Sequence, residues 1–495
     1  MTQQIQQTFR QQMLLVATFL IFIPAHVLAT DLPTTQLLAV VQGDEETRST
    51  PFIAWFEDLS VQGYTEEEYV ASGSANVYSY AGSEMQPDIE VQKNNLPYAT
   101  RLLVRRPANP ETFNGTVFVE VLNATAGWDG DPIWQSTHEY IIRQGATWVG
   151  VSTKPVSVDF LRDAWGRPPW PKRNASRYAD LSMPEFGQVW DMMSQVGALL
   201  KTPASKDNPL GAFDVQRLIM VGYSQSAAYQ VTYANSIHDS ARMPDGKPIY
   251  DGYYIAAGGG SSKHITGPTD TSPESLPPGD SRNLTRASVP VIRYQNQTEV
   301  IRSYVVRQWE ADFPLLRFYE LVGGSHVDSH LNTVGGKALG RDLGLPPSFC
   351  PSPENPYNPI RIGYVQSALM EALDRWIAIG ASPPASRFLQ LSWENREISL
   401  AKDADGNVLG GIRPPDIQVP LGTYSGSNSG PGFCDLYGGF TAFDEEKLNT
   451  LYETHDAYVQ RFKQTVEDSM QEGFLLLQDA QSQNELAIKS SIGKN

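Results

Sequence analysis

The sequence predicts an α/β fold: a mostly parallel central sheet with helices on both faces, carrying lid-like insertions and an N-terminal antiparallel extension. Short, continuously apolar runs recur through the middle of the chain, as buried parallel strands require, and segments of helical period separate them. At the centre of that alternation Gly222-Tyr223-Ser224-Gln225-Ser226 stands between the apolar run 217–221 and a helical run from 227.

The elements follow in order. From about 36 to 105 short alternating runs such as 75–80 and 98–104 are split by Gly, Pro and Asn, which predicts antiparallel edge strands. Residues 117–122 form a buried-strand run, then come a polar loop and a helix over 132–144. The run 147–151 is the next strand, and Phe186, Val189, Trp190, Met193, Val196, Leu199 and Leu200 fall on one helical face. Further strands are predicted at 218–221, 253–257, 289–294 and 315–321. Two stretches break the rhythm, about 153–183 with Trp165 and Trp170, and about 258–288, rich in Gly, Ser, Pro and Thr. Loops of that length suit lids over a site, and the tryptophans either face an apolar substrate or pack the loop down. A helix over 364–377 closes at Gly380, and a second helical region around 448–462 runs into a polar tail. The chain thus divides into a leader, 1–29, a domain over 30–445 that holds both insertions, and a C-terminal helical tail, 446–495.

Composition narrows the function. The 495 residues are 41% hydrophobic, ample for a large core, and a net charge of -17 disfavours nucleic acid or an anionic membrane as partner. Neutral or cationic substrates fit that charge better, and the partner expected for the chain is a small-molecule ester, neutral or apolar. Arg10, the apolar run 13–23, Pro24 and Val27-Leu28-Ala29 read as a secretory signal, too short for a membrane span, so the mature chain is expected to be periplasmic or extracellular. Two cysteines, Cys350 and Cys434, suit a disulfide in that setting. Five glycosylation sequons, at Asn114, Asn123, Asn174, Asn283 and Asn296, read as chance matches in a Ser/Thr-rich chain. The sequence holds no H-E-x-x-H, paired C-x-x-C or P-loop, so neither a metal nor a cofactor is expected.

The motif at 222–226 has the form of a sharp strand-to-helix turn that exposes a nucleophilic serine. Gly222 permits the bend, Ser224 carries the hydroxyl, and Gln225 offers its N–H to a developing oxyanion. Ser226 stands where such turns usually have a second glycine. A serine hydroxyl needs a base and an acid to orient that base. His326, in Gly323-Gly324-Ser325-His326 after the last strand, is the candidate base, with His330 its competitor. Glu299, in the loop after the strand ending near 294, is the candidate acid, and it also reads as a first-turn helix carboxylate. Asp328 lies too close to His326 along the chain to reach round it. A second oxyanion N–H is expected from the loop after the strand 117–122, from Ala124 or Thr125.

Several motifs agree in order with a known family. Gly63-Tyr64-Thr65-Glu66-Glu67-Glu68-Tyr69 with Gly73-Ser74-Ala75, then 100–107, 119–123, 148–152, Gly222-Tyr223-Ser224-Gln225-Ser226-Ala227 and Gly410-Gly411-Ile412-Arg413-Pro414, together resemble a bacterial α/β-hydrolase-domain family built around a G-x-S-Q-S-A turn. The resemblance runs from about 38 to 445 and implies an α/β-hydrolase fold, with Ser224 as nucleophile and His326 as base. Relatives often carry Asp in the acid loop where this chain has Glu299. The reading that results is a secreted serine hydrolase, foremost a carboxylic-ester hydrolase working through an acyl-enzyme. An amidase or peptidase with the same triad, and a hydrolase-like binding protein without turnover, are the alternatives.

Overall fold

A single sheet organises the chain, and its strand order sets where the loops meet. The computed structural model describes residues 27–28, 31–44, 47, 49–81, 88–266, 274–275, 284, 288–310, 314–345, 350, 356–394 and 396–494. The expected leader, apart from 27–28, and most of the second insertion lie outside them. The strands are β1 (Thr34–Leu37), β2 (Tyr64–Tyr80), β3 (Ile89–Pro107), β4 (Thr116–Val121), β5 (Thr147–Val151), β6 (Arg217–Tyr223), β7 (Gly252–Ala256), β8 (Val291–Asn296) and β9 (Leu316–Leu321). They lie in the order β9-β8-β7-β6-β4-β5-β3-β2-β1. Strands β4 to β9 run parallel, and β1 to β3 add an antiparallel extension through the β3–β5 pair. Every residue of β4, β5, β7 and β8 is buried, as continuous apolar runs covered on both faces require.

The extension differs from the expected short runs. Strands β2 and β3 span 17 and 19 residues and pair along almost their whole length. Asn76 is absorbed by an irregularity between Ala75 and Val77, where its N–H donates 2.7 Å to Asp191, so the strand continues through it.

Helix α1 (Pro132–Arg143) follows β4, and its first N–H groups, from Ile133 and Trp134, donate to the buried Glu120 of that strand. Glu120 also accepts 2.8 Å from the Trp148 indole, so one carboxylate caps the helix and fixes it to the sheet. Helix α2 (Val189–Leu200) is buried along its whole length. Further helices are α3 (Gln225–Thr232), α4 (Gln297–Glu310), α5 (Ser329–Leu343) and α6 (Ile362–Ile379). The polar tail after 462 is itself structured: α7 (His455–Gln471) is followed by α8 (Leu477–Lys489). Helix α8 lacks a strong apolar period because it buries small and polar residues, Ala480, Gln483 and Ala487, and Arg143 of α1 pairs with its Asp479 at 2.8 Å.

Helices α1 and α6 cross in contact at Gly363, where a Cβ would sit 2.1 Å from the Ser136 carbonyl oxygen. Backbone cannot yield as a flexible side chain does, so Gly363→Ala forces the helices apart. The expected cost is about 1–3 kcal/mol, read as a lower urea midpoint with an unchanged m-value.

Candidate active site

Strand β6 ends at Tyr223 and α3 begins at Gln225, so Ser224 alone makes the turn between them. It does so at φ 59°, ψ -124°, a conformation that costs a non-glycine residue about 1–3 kcal/mol and lifts its side chain off the sheet edge. The Ser224 N–H donates 2.9 Å to Ala256 at the end of β7, which holds the turn from one side. Gly222 holds it from the other: a Cβ there would lie 2.7 Å from Gln230 Nε2 and 3.1 Å from Ser226 Cβ. The helix therefore packs onto the strand at glycine distance even with a serine at 226.

The sheet order brings the other candidates to the same edge. His326 Nε2 lies 3.0 Å from Ser224 Oγ, and His326 Nδ1 lies 2.6 Å from Glu299 Oε1. His326 follows β9 and is held by its N–H, which donates 2.9 Å to Thr298 Oγ1. Glu299 occupies the first turn of α4, and its other oxygen accepts 2.7 Å from the Asn296 N–H. Glu299 is thus a first-turn helix carboxylate that turns one oxygen to its own helix and the other to the imidazole. Asp328 is turned away, accepting from Leu331 and Ile362 N–H groups at 2.7 and 2.8 Å. His330 is elsewhere too, stacked 6.1 Å from His138 and 3.1 Å from Arg361.

Tyr223 is a support that the motif did not reveal. Its hydroxyl donates 2.8 Å to the His326 carbonyl and accepts 2.7 Å from Asn296 Nδ2, and burial keeps the phenol protonated by raising it well above its ordinary value. A tyrosine in the variable place of G-x-S carries no local signal for that role. Asn296 is fully buried and so engaged, which agrees with reading its sequon as chance.

In the loop after β4, Thr125 N–H is committed to Asn123 Oδ1 at 2.8 Å, and Asn123 Nδ2 donates 3.1 Å to the Tyr223 carbonyl. That engagement removes Thr125 as a free donor. Among the described residues the Ala124 N–H has no protein acceptor, and Gln225 N–H opens α3 one residue beyond Ser224. Buried ion pairs fix the far end of the loop: Arg101 to Asp129 at 3.1 Å, and Arg105 to Asp131 at 2.6 Å. Arg105 lies between the Trp134 and Trp148 rings, 4.7 and 4.6 Å from their centroids.

Ser224 and His326 open on a cavity of about 340 Å³. Its walls are mainly apolar and aromatic, with Trp128, Leu331, Leu339, Phe433 and Tyr437; Asp129 and Asp131 also line it, and among the described residues no lysine or arginine does. Trp170 packs edge-on to Trp128, 5.8 Å away, whereas Trp165 is fully buried against Tyr178. Of the two insertion tryptophans, then, one backs the cavity wall and the other packs the loop down. Cys350 and Cys434 form a disulfide, and Cys434 stands beside the wall residue Phe433. The Val327 N–H donates 2.9 Å to Leu436 of the same wall, directly after His326.

With this geometry in view, the family model of an alpha/beta hydrolase domain matches residues 35–485. The chain belongs to that family. No curated protein matches it. Among solved structures, it is similar to the carboxylesterase Cest-2923 from Lactobacillus plantarum, at 13% identity over 45% of this chain and 78% of that one, with a TM-score of 0.29. The glucuronoyl esterase from Solibacter usitatus is 9% identical over 56% and 71% of the two chains, with a TM-score of 0.29. Est1E from Butyrivibrio proteoclasticus, solved with ferulic acid, is 11% identical over 49% and 93%, with a TM-score of 0.28.

His138 of α1 and His330 of α5 form a stacked pair whose protonation is linked to folding. Burial, with Arg361 adding to it at both rings and Glu139 opposing, lowers His138 and His330 to about 4. A depressed folded-state value means that the unfolded chain binds more protons, so this stability is complete above about 6.5 and is lost as pH falls towards 4. The urea midpoint is expected to drop across that window, and His330→Gln to flatten the drop.

Proposed function

We propose that the protein is an exported serine hydrolase that cleaves carboxylic esters. One observation carries the reading: the unbroken Ser224–His326–Glu299 relay at the mouth of a mainly apolar cavity. His326 Nε2 takes the Ser224 proton as Oγ attacks the ester carbonyl, and Glu299 holds Nδ1–H and stabilises the imidazolium. The N–H groups of Gln225 and Ala124 receive the oxyanion. Collapse of the tetrahedral intermediate breaks the carbonyl–alkoxy bond, and His326 returns the proton to the leaving alcohol. Water, deprotonated by the same histidine, then releases the acid from the acyl-enzyme and restores Ser224.

The cavity supports an apolar or aromatic group on the substrate: among the described residues its charged lining is Asp129 and Asp131, with no cationic side chain to receive a carboxylate or phosphate. Export rests on the leader-like start and the disulfide, and no helix among the described residues is long and apolar enough to cross a membrane.

A fluorophosphonate probe is expected to label wild type at Ser224 and not Ser224→Ala; a folded wild type that stays unlabelled contradicts the reading. Glu299→Gln is expected to lower kcat by at least about 100-fold with little change in KM, by analogy with the loss on amidating a triad acid. On a panel of matched aryl and alkyl esters, amides and ω-carboxylated esters, neutral aryl esters are expected to show the highest kcat/KM.

A further inference from the structure

Lys154 is a buried, titratable group that the chemistry above does not use. It follows β5, is fully buried, and has no carboxylate within 4.0 Å among the described residues. Burying an ammonium without an ion-pair partner is costly, so its contacts are informative. Nζ donates to the Leu122 carbonyl and, at 2.9 Å, to Ser226 Oγ, while Ser226 Oγ itself lies 3.2 Å from the Leu122 carbonyl. The ammonium also sits 4.6 Å from the centroid of the Tyr229 ring, one turn along α3. The three groups form a closed knot between two elements. Leu122 lies two residues before Ala124, and Ser226 directly follows Gln225.

We propose that Lys154 is a positioning residue for the oxyanion site: it ties the loop carrying one donor N–H to the helix carrying the other, and Ser226 is present to receive it. This rests on the serine-hydrolase reading of Ser224. The knot sets the separation of the Ala124 and Gln225 N–H groups, which must converge on one oxygen that bears full charge only in the transition state. It also accounts for the departure from the usual motif. A glycine at 226 would satisfy the close packing but offer Lys154 no oxygen. Burial lowers the ammonium to about 7, with Asp129 and Glu120 opposing that shift and Lys263 adding to it.

The test compares wild type with Lys154→Met, Ser226→Ala and Ser226→Gly on a neutral aryl ester. Active sites are counted by fluorophosphonate labelling, and each protein is titrated with an aryl boronic acid, which adds to the serine as a tetrahedral anion. An interaction made only in the transition state lowers kcat and leaves KM, so Lys154→Met is expected to lose at least about 30-fold in kcat per labelled site, with KM within about threefold. Boronate affinity is expected to fall in parallel, and the Ser226 variants to show the same pattern more weakly. A purely structural role predicts lower thermal stability with wild-type kcat per labelled site and unchanged boronate affinity, which overturns the proposal. If Lys154→Met does not fold, the Ser226 variants decide on the same readouts. A wild type that fails to label at Ser224 refutes the hydrolase reading and this inference with it. A labelled wild type matched in kcat by its folded variants refutes this inference alone.

Discussion

The turn at Ser224 is the constraint on which the site depends. A residue with a Cβ is held at positive φ between a parallel strand and a helix, and such a conformation persists only when its surroundings leave no alternative. Those surroundings are particular. The β7 carbonyl of Ala256 takes the Ser224 N–H, Gly222 admits α3 to glycine distance, and Tyr223 spans from the elbow to the His326 carbonyl. Strain at the turn and stability of the sheet are thus the same matter: the strands that flank β6 are fully buried, and they do not yield to relax one serine.

Around that turn the polar groups of the site are held by buried neighbours and not by solvent-facing contacts. Glu299 caps its own helix with one oxygen and faces His326 with the other. The loop after β4 is gripped at its start by Lys154 and at its end by Arg101 and Arg105, which lie four residues apart on one face of β3 and hold Asp129 and Asp131. The antiparallel extension therefore does more than lengthen the sheet. Its two arginines anchor the floor of the cavity, and the disulfide steadies the opposite wall at Phe433 and Leu436. Preorganisation of this kind holds the donors of a site in place before charge develops.

Much of the sheet was legible because burial on both faces leaves continuous apolar runs. The run 147–151 matches β5 residue for residue, and the helix at 132–144 differs from α1 only at its end. Strands β2 and β3 were harder to read, because residues between the short runs, such as Gly73 and Pro97, look like breaks while the partner strand carries the pairing across them. Helix α8 was hidden for the opposite reason: alanines and a glutamine pack it, and these leave no apolar period. Ser224, His326 and Glu299 could be named because each falls just past the end of a strand. Tyr223, Thr298 and Lys154 could not, since their roles lie in where a hydroxyl or ammonium points.

The sequence by itself determined the alternation of buried strands and helices through the central sheet, the strand-turn-helix at Ser224, and the residue types able to form a relay. It did so because periodicity and turn chemistry are local. Tertiary structure alone decided that Glu299 and not Asp328 faces the imidazole, that His330 stacks on His138 instead of approaching Ser224, and that Thr125 spends its N–H on Asn123. Each of these is a choice among chemically equivalent groups, settled by distances between elements far apart in the chain. The serine at 226 shows both sides: its smallness could be read from the sequence, but its hydroxyl gains meaning only where Lys154 reaches it from the segment after β5.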